Sequence, residues 1–99
     1  MGTLRYDTSS PPIRVDDREL AHLRIVMGTK LRRLESFMMT WHPADGDPAR
    51  TCSAWIHPAI PLQFHFDAES IPKVEPAHVA ELIDRVNATG DLIVTVSSG

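Results

Sequence analysis

The side chains best suited to metal chemistry are three histidines on predicted strands, His42, His57 and His65. Imidazoles that converge on one face could hold zinc together with a fourth ligand or a water. However, the sequence contains no His-x₃-His or Cys-x₂-Cys pair, so no compact zinc motif is present. His65 alternates with Phe64 and Phe66, so it should point to the uncovered side of its strand. We therefore expect solvent-facing or hydrogen-bonded histidines, with no metal and no cofactor.

Residues for covalent catalysis occur, but not in catalytic arrangements. There is no Gly-x-Ser-x-Gly turn, Walker loop or Gly-x-Gly-x-x-Gly turn. Cys52, the single cysteine, cannot form an internal disulfide and fits a reducing compartment. Its apolar-leaning segment favours a small buried residue over a nucleophile. The sequence therefore predicts a protein that is not an enzyme.

The element that must position everything else is an amphipathic helix predicted over residues 16–36. Asp16 can cap its first turn, and Glu19, three residues on, can reach back to complete a capping box. Gly28 costs about 1 kcal/mol relative to alanine and indicates a close backbone approach. An arc of about 80° holds the predicted buried stripe, which consists of Leu20, Leu23, Met27, Leu31 and Leu34.

The opposite side of this helix is the predicted partner-binding surface. Arginines there surround an apolar spot at Ile25 and Val26, a pattern typical of contact with another protein or another copy of the chain. An ordinary solvated helix face is the alternative interpretation. The predicted partner-binding residues are Arg18, His22, Ile25, Val26, Thr29, Arg32 and Arg33.

Weak nucleic-acid binding is the second hypothesis. Residues 1–36 hold seven basic and five acidic side chains, a balance of +2, whereas residues 37–99 hold three and eight, a balance of −5. Trp41 and Trp55, on strands joined by one loop, could be cross-strand neighbours that pack in the sheet or stack on bases. The candidate residues are Arg18, Arg24, Arg32, Arg33, Trp41 and Trp55.

The remaining periodicities predict an α+β fold. Strands are expected at 3–7, 13–16, 37–42, 51–57, 62–67 and 92–96, the last as an interior strand, and a second helix at 75–89 that ends before Gly90. This β-β-α-β-β-β-α-β order suggests a two-layer sandwich, with a mostly antiparallel sheet of five to six strands and two helices on one face.

Length and composition fit a single cytoplasmic domain over residues 1–99. Apolar residues make up 42% and charged residues 23% of the chain, values typical of globular proteins. No run of 18 apolar residues occurs, and the first ten residues lack the pattern of a signal peptide. We therefore expect no membrane association.

Three segments resemble a family of small actinobacterial proteins of about one hundred residues and unknown function. They are DRELAHLRIVMGTKLRRLESF at 17–37, SAWIHPAIP at 53–61 and LQFHF at 62–66. Members of this family often carry the automatic label ATP-dependent DNA ligase. The ligase Lys-x-Asp-Gly motif is absent here, because Lys30 precedes Leu-Arg-Arg and Lys73 precedes Val-Glu-Pro. The resemblance therefore implies at most an accessory link to DNA metabolism.

One position departs from the similar sequences. Leu34 stands where the resemblance implies glycine, in KLRRGESF, so the first helix is expected to run one residue further here. Taken together, the sequence predicts a small non-enzymatic interaction module that binds a protein partner or itself as a homo-oligomer, such as a homodimer. A nucleic-acid-binding accessory protein is the alternative, and a histidine-based metal protein or hydrolase is the least favoured reading.

Overall fold

The computed structural model describes residues 1–7, 9, 12–42 and 51–94. Most of the predicted turn at 8–12, the loop at 43–50 and the chain beyond residue 94 lie outside the described residues. The elements follow the predicted order: β1 (Gly2–Tyr6), β2 (Ile13–Val15), α1 (Asp17–Arg32), β3 (Phe37–Trp41), β4 (Cys52–Ile56), β5 (Leu62–His65), α2 (Pro76–Thr89) and β6 (Asp91–Val94).

The described strands form two three-stranded sheets, so the prediction of one sheet with five to six strands is wrong. The first sheet has the order β2-β1-β5 and is antiparallel. The second has the order β4-β3-β6, in which β4 runs antiparallel and β6 parallel to β3. The predicted α+β class is confirmed.

The turn between β4 and β5 explains why the strands divide into two sheets. Pro58 and Pro61 lack backbone N–H groups and cannot continue a ladder. The Asp7 N–H donates to the Pro61 carbonyl oxygen at 2.7 Å, which brings β5 beside β1 rather than β4. β6, predicted as an interior strand, is an edge strand because β4 and β6 take the two sides of β3.

Both sheets and both helices contribute to one hydrophobic core. α1 packs on β1 and α2, and α2 packs on β6. Alternation turns Leu4 of β1 and Met39 of β3 into this core, and both are fully buried. The largest other fully buried side chains are Phe37, Leu20, Leu23, Met27, Ile56 and Leu92.

α1 begins as predicted but ends earlier. The Asp16 carboxylate accepts from the backbone N–H groups of Arg18 and Glu19 at 3.1 and 3.4 Å. At the other end, the helix stops at Arg32, and Leu34 takes a left-handed conformation with φ of 60° and is 80% exposed. The predicted burial of Leu34 and the predicted extension of the helix are therefore wrong. Leu31, also in the predicted stripe, is partly buried.

The expected close approach at Gly28 is wrong as well, and the crowded glycine is Gly2. A Cβ added at Gly28 would have no neighbour within 4 Å, whereas one at Gly2 would lie 2.5 Å from the His65 carbonyl oxygen. Gly90 ends α2 in the left-handed conformation, with φ of 76°, as predicted.

Neither described helix is long and apolar enough to cross a lipid bilayer.

Candidate functional site

The predicted partner-binding side of α1 is not a continuous exposed surface. Val26 is fully buried and His22 is 3% exposed, so the expectation that both face a partner is wrong. Val26 follows Leu23 by three residues and therefore shares its buried side, which makes the apolar stripe wider than predicted. Ile25 and Thr29 are partly buried, and the Thr29 hydroxyl donates to the Ile25 carbonyl oxygen at 2.7 Å. Arg18, Arg32 and Arg33 are exposed.

The two tryptophans are not neighbours. Trp41 pairs with Cys52 and Trp55 with Met38, so they lie on opposite faces of the second sheet. Trp41 is partly buried and packs edge-on against Tyr6, with ring centroids 6.0 Å apart. The predicted nucleic-acid set is therefore divided, because Trp41 lies against the core and Trp55 on the far side of the sheet from α1 and its arginines.

The three predicted metal-ligand histidines lie apart, and all are exposed. His42 and His57 flank strands of the second sheet, whereas His65 lies in the first. Each has a hydrogen-bonding contact: His42 with the Thr51 hydroxyl at 3.3 Å, His57 with the Ala59 N–H at 3.0 Å, and His65 with the Gln63 amide oxygen at 2.8 Å. The prediction of solvent-facing or hydrogen-bonded histidines is confirmed. Cys52, expected to be buried, is only partly so.

The outer face of the second sheet is an exposed surface with large apolar side chains, which we call the Trp55 face. Trp55 is 54% and Ile93 60% exposed. Both helices contribute their buried side chains to the core on the other side of this sheet. The alternation of the strands defines the face as Met38, Thr40, Ser53, Trp55, Asp91 and Ile93.

A hydrogen-bonded row crosses the middle of the Trp55 face. The Thr40 hydroxyl donates to the Asp91 carboxylate at 2.8 Å and accepts from the Ser53 hydroxyl at 2.8 Å. Asp91 is the only charged member of this face. The face therefore combines two exposed apolar groups with one fixed negative charge.

A second exposed surface, the Leu34 tip, consists of Arg32, Arg33 and Leu34 at the end of α1, all of them exposed. The neighbouring Lys30 ammonium is buried and donates to Glu35 at 2.6 Å and to the Asn87 amide oxygen at 2.5 Å. The hydrogen bond from Lys30, together with the charges of Lys30 and Arg33, lowers the pKa of the Glu35 carboxyl. Because Glu35 is engaged by Lys30, the tip remains basic.

The third candidate is an open cleft of about 240 Å³ between the first turns of the two helices, which we call the histidine cleft. His22 is its most buried member. His22 Nδ1 lies 2.7 Å from the Arg18 carbonyl oxygen and must donate to it, and His22 Nε2 accepts from the Glu75 N–H at 3.0 Å. His22 is thus neutral, with its proton on Nδ1. The cleft is lined by Asp16, Arg18, Glu19, His22, Glu75 and His78.

Two carboxylates of the histidine cleft contact side chains of the opposite helix. His78 Nε2 lies 3.2 Å from Glu19 Oε2, and the His78 ring packs edge-on against His22 with centroids 4.7 Å apart. Glu19 therefore contacts α2 rather than completing a capping box. Arg18 forms an ion pair with the Glu75 carboxylate. Within the described residues, only Glu19, His22 and His78 place three ligand-type atoms close together, within 4.8 Å of one another.

Comparison with known families adds one finding. The chain belongs to a family described as Domain of unknown function (DUF7882), whose model matches residues 1–97. This match confirms the resemblance to a family of unknown function. An actinobacterial source and a ligase label remain implications of the resemblance alone. No curated protein and no solved structure matches the chain.

The histidine cleft contains one signal that the sequence carries and one that it does not. Glu19 and His22 are three residues apart on a helix, a spacing that puts both on one side, as in the Glu-x-x-His motif of metal-binding bundles. His78 lies in the first turn of α2, and nothing in the sequence indicates that the two helix starts lie together.

Proposed function

We propose that this protein is a non-enzymatic interaction module of the cytoplasm that self-associates, with the Trp55 face of one copy binding the Leu34 tip of the next. The observation that carries the proposal is the joint exposure of Trp55 and Ile93, both more than half accessible on one sheet face. Tryptophan on a surface provides a large rigid contact area and is enriched in the energetic centres of protein interfaces.

Complementary chemistry supports a second copy as the occupant. The Trp55 face offers two apolar groups and the Asp91 carboxylate. The Leu34 tip offers the most exposed large hydrophobic side chain of the described residues, flanked by two arginines. Arginine with a carboxylate and leucine against tryptophan would satisfy both surfaces at once. This proposal retains Arg32 and Arg33 of the predicted partner-binding set.

The two surfaces differ, so the contact would be head-to-tail. Head-to-tail contacts form open chains unless the rotation between copies closes a ring. Each open chain has one free Trp55 face and one free Leu34 tip at its ends. We therefore expect an average mass that rises with protein concentration. An isologous dimer would instead reach a fixed mass.

Mixing two association-defective variants tests this arrangement directly. Trp55→Lys blocks the face and keeps the tip, whereas Leu34→Glu blocks the tip and keeps the face. Each variant alone should be monomeric by multi-angle light scattering, and an equimolar mixture should give dimers and nothing larger. Ile71→Lys is the matched control, because Ile71 is a large hydrophobic residue, 48% exposed, outside both surfaces.

Three results would contradict the proposal. One is a wild-type protein that stays monomeric at the highest concentration measured. Another is an Ile71→Lys variant as defective as the other two. A third is a wild-type assembly whose mixed variants fail to form dimers, because that outcome would assign association to another surface.

Nucleic-acid binding stays a second, weaker proposal. Arg24, Arg32 and Arg33 are exposed, but Arg18 is paired with Glu75, and Trp55 lies on the sheet face that carries Asp91. Any binding would therefore depend on phosphate contacts and would weaken steeply with salt. Fluorescence anisotropy with labelled single-stranded DNA at low salt measures it. No change in anisotropy would remove this alternative.

A further inference from the structure

We propose that the histidine cleft is a binding site for a divalent transition-metal ion such as zinc, with Glu19, His22 and His78 as its ligands. The three residues come from two helices whose first turns lie side by side. One ligand atom from each lies within 4.8 Å of the others. Two imidazoles and one carboxylate form a ligand set that zinc accepts, with a remaining position for water.

The distances require only a small adjustment. Zinc bonded to nitrogen and oxygen at 2.0–2.1 Å in tetrahedral geometry separates its ligand atoms by roughly 3.3 Å. His78 Nε2 and Glu19 Oε2 already lie 3.2 Å apart. The ligand atoms of the three residues lie up to 4.8 Å apart, so the widest pair must approach by about 1.5 Å. Side-chain rotation of Glu19 and His78, both about one-third exposed, can supply it.

His22 is already oriented as a ligand. Its Nδ1–H donates to the Arg18 carbonyl oxygen at 2.7 Å, which fixes the tautomer and leaves the lone pair on Nε2. Histidines that bind metals almost always donate their other ring N–H to a carbonyl or carboxylate in this way. The His22 ring lines this open cleft.

One contact competes directly with the ion. The Glu75 N–H donates to the lone pair of His22 Nε2 at 3.0 Å, and a metal would need that same lone pair. Glu75 is the N-cap of α2, and its side chain makes an ion pair with Arg18 rather than a capping hydrogen bond. Metal binding would therefore exchange this hydrogen bond for a coordinate bond and release the Glu75 N–H. The Glu75 amide is consequently a specific reporter of His22 ligation.

The local charge suits a cation. The Glu19 carboxylate would be a direct ligand, and the Glu75 carboxylate lies on the same cleft. The positive group there, Arg18, is held in an ion pair by Glu75. An incoming ion thus meets the carboxylates of Asp16, Glu19 and Glu75, of which Glu75 is paired with the Arg18 guanidinium.

Calorimetry with zinc chloride on chelator-treated protein tests the site. The wild type should bind one zinc per chain, and His78→Gln and Glu19→Gln should each lose affinity at least about tenfold. His65→Gln and Cys52→Ser are matched controls that remove an exposed histidine and the only thiol, and both should bind as the wild type does. His22 is not substituted here because it is buried.

A second readout separates His22 ligation from zinc held by other groups. In ¹⁵N–¹H spectra, a zinc concentration that just saturates the wild type should shift its Glu75 amide resonance fully and that of His78→Gln much less. No saturable binding by the wild type would overturn the proposal, as would equal affinity in His78→Gln and His65→Gln. A Glu75 amide that does not move at saturation would also overturn it, since His22 would then keep its hydrogen bond.

Discussion

At its first two turns α1 is joined to α2 through a neutral imidazole, whereas at its last turn the same two helices are joined through a buried ammonium. His22 bridges the Arg18 carbonyl oxygen and the Glu75 N–H. Lys30 reaches Asn87 of α2 and the Glu35 carboxylate. The first connection depends on one tautomer of one ring, and the second depends on charge.

The backbone differs between these two ends as well. The N-terminal end of α1 has a side-chain cap from Asp16, whose backbone has φ of −54° and ψ of 137°. The C-terminal end passes through Leu34 at φ of 60°, a region that favours glycine. The N-terminal end therefore has capped backbone N–H groups and no strained residue. The C-terminal end combines the buried charge of Lys30 with the strained backbone of Leu34. This contrast predicts that substitutions at the two ends have different signs and different pH dependence.

The largest expected effect is at the N-terminal end. His22→Ala removes a buried ring and leaves the Glu75 N–H without its acceptor, which should lower the free energy of unfolding by about 2 kcal/mol. His78→Ala is the matched control, because that ring is partly exposed and should cost less than about 1 kcal/mol. Urea unfolding followed by circular dichroism measures both. Equal losses would show that the bridge to Glu75 contributes little.

The contribution of the C-terminal end of α1 to the free energy of unfolding should depend on pH. The pKa of the Glu35 carboxyl is lowered by its hydrogen bond from Lys30, so the unfolded state takes up this proton first as pH falls. The contribution of Glu35 is therefore complete above the ordinary carboxyl range and is lost as pH falls through the lowered value.

Glu35→Gln tests that assignment. The stability difference between wild type and this variant should be greatest at pH 6–7 and should shrink toward pH 3. Urea unfolding across that range measures it, with Glu69→Gln as a control at an exposed carboxylate for which no ion pair or hydrogen bond is described. A constant difference across the range would contradict the role given to Lys30.

A smaller, stabilising effect is expected at Leu34. Leu34→Gly should raise the free energy of unfolding by about 1 kcal/mol, because glycine adopts positive φ without the clash of a Cβ. Leu34→Ala keeps the Cβ and should change stability little. Thermal unfolding at a concentration low enough to suppress association compares the three proteins. Equal gains from glycine and alanine would mean that exposed apolar area, rather than φ, determines the effect.

The same residues show how far the sequence could be interpreted. The order of elements, the Asp16 cap and the Gly90 stop follow from local periodicity and capping chemistry, and the structure confirms them. The end of α1 does not follow from periodicity, because Leu34 continues the leucine spacing although its backbone leaves the helix. The resemblance implies glycine at this position, and glycine suits the conformation that Leu34 adopts.

Long-range features were not available from local patterns. The division into two sheets depends on β5 pairing with β1, and no periodicity specifies a partner strand. The histidine cleft depends on the packing of α1 against α2, which brings His78 to Glu19 across 59 positions of sequence. Val26 was misjudged for a local reason, because the true buried side of α1 is wider than the leucine stripe.

The smallest effect is expected between the two ends, at Gly28. This residue is exposed, and a Cβ there would meet nothing within 4 Å. Gly28→Ala should raise the free energy of unfolding by about 0.5–1 kcal/mol through helix propensity alone. Gly2→Ala should have the opposite sign, because its Cβ would lie 2.5 Å from a backbone oxygen.

Combining Gly28→Ala with His22→Ala or Glu35→Gln tests whether the two connections between α1 and α2 contribute independently to stability. Gly28 contacts neither His22 nor Glu35, so its gain should add to each end variant within about 0.5 kcal/mol, as for independent sites. Chemical unfolding of the His22→Ala and Glu35→Gln double variants measures this. If Gly28→Ala no longer stabilises one of these variants, the corresponding end of α1 has unfolded as far as Gly28. The connection at that end would then be required for the helix to stay folded at its centre.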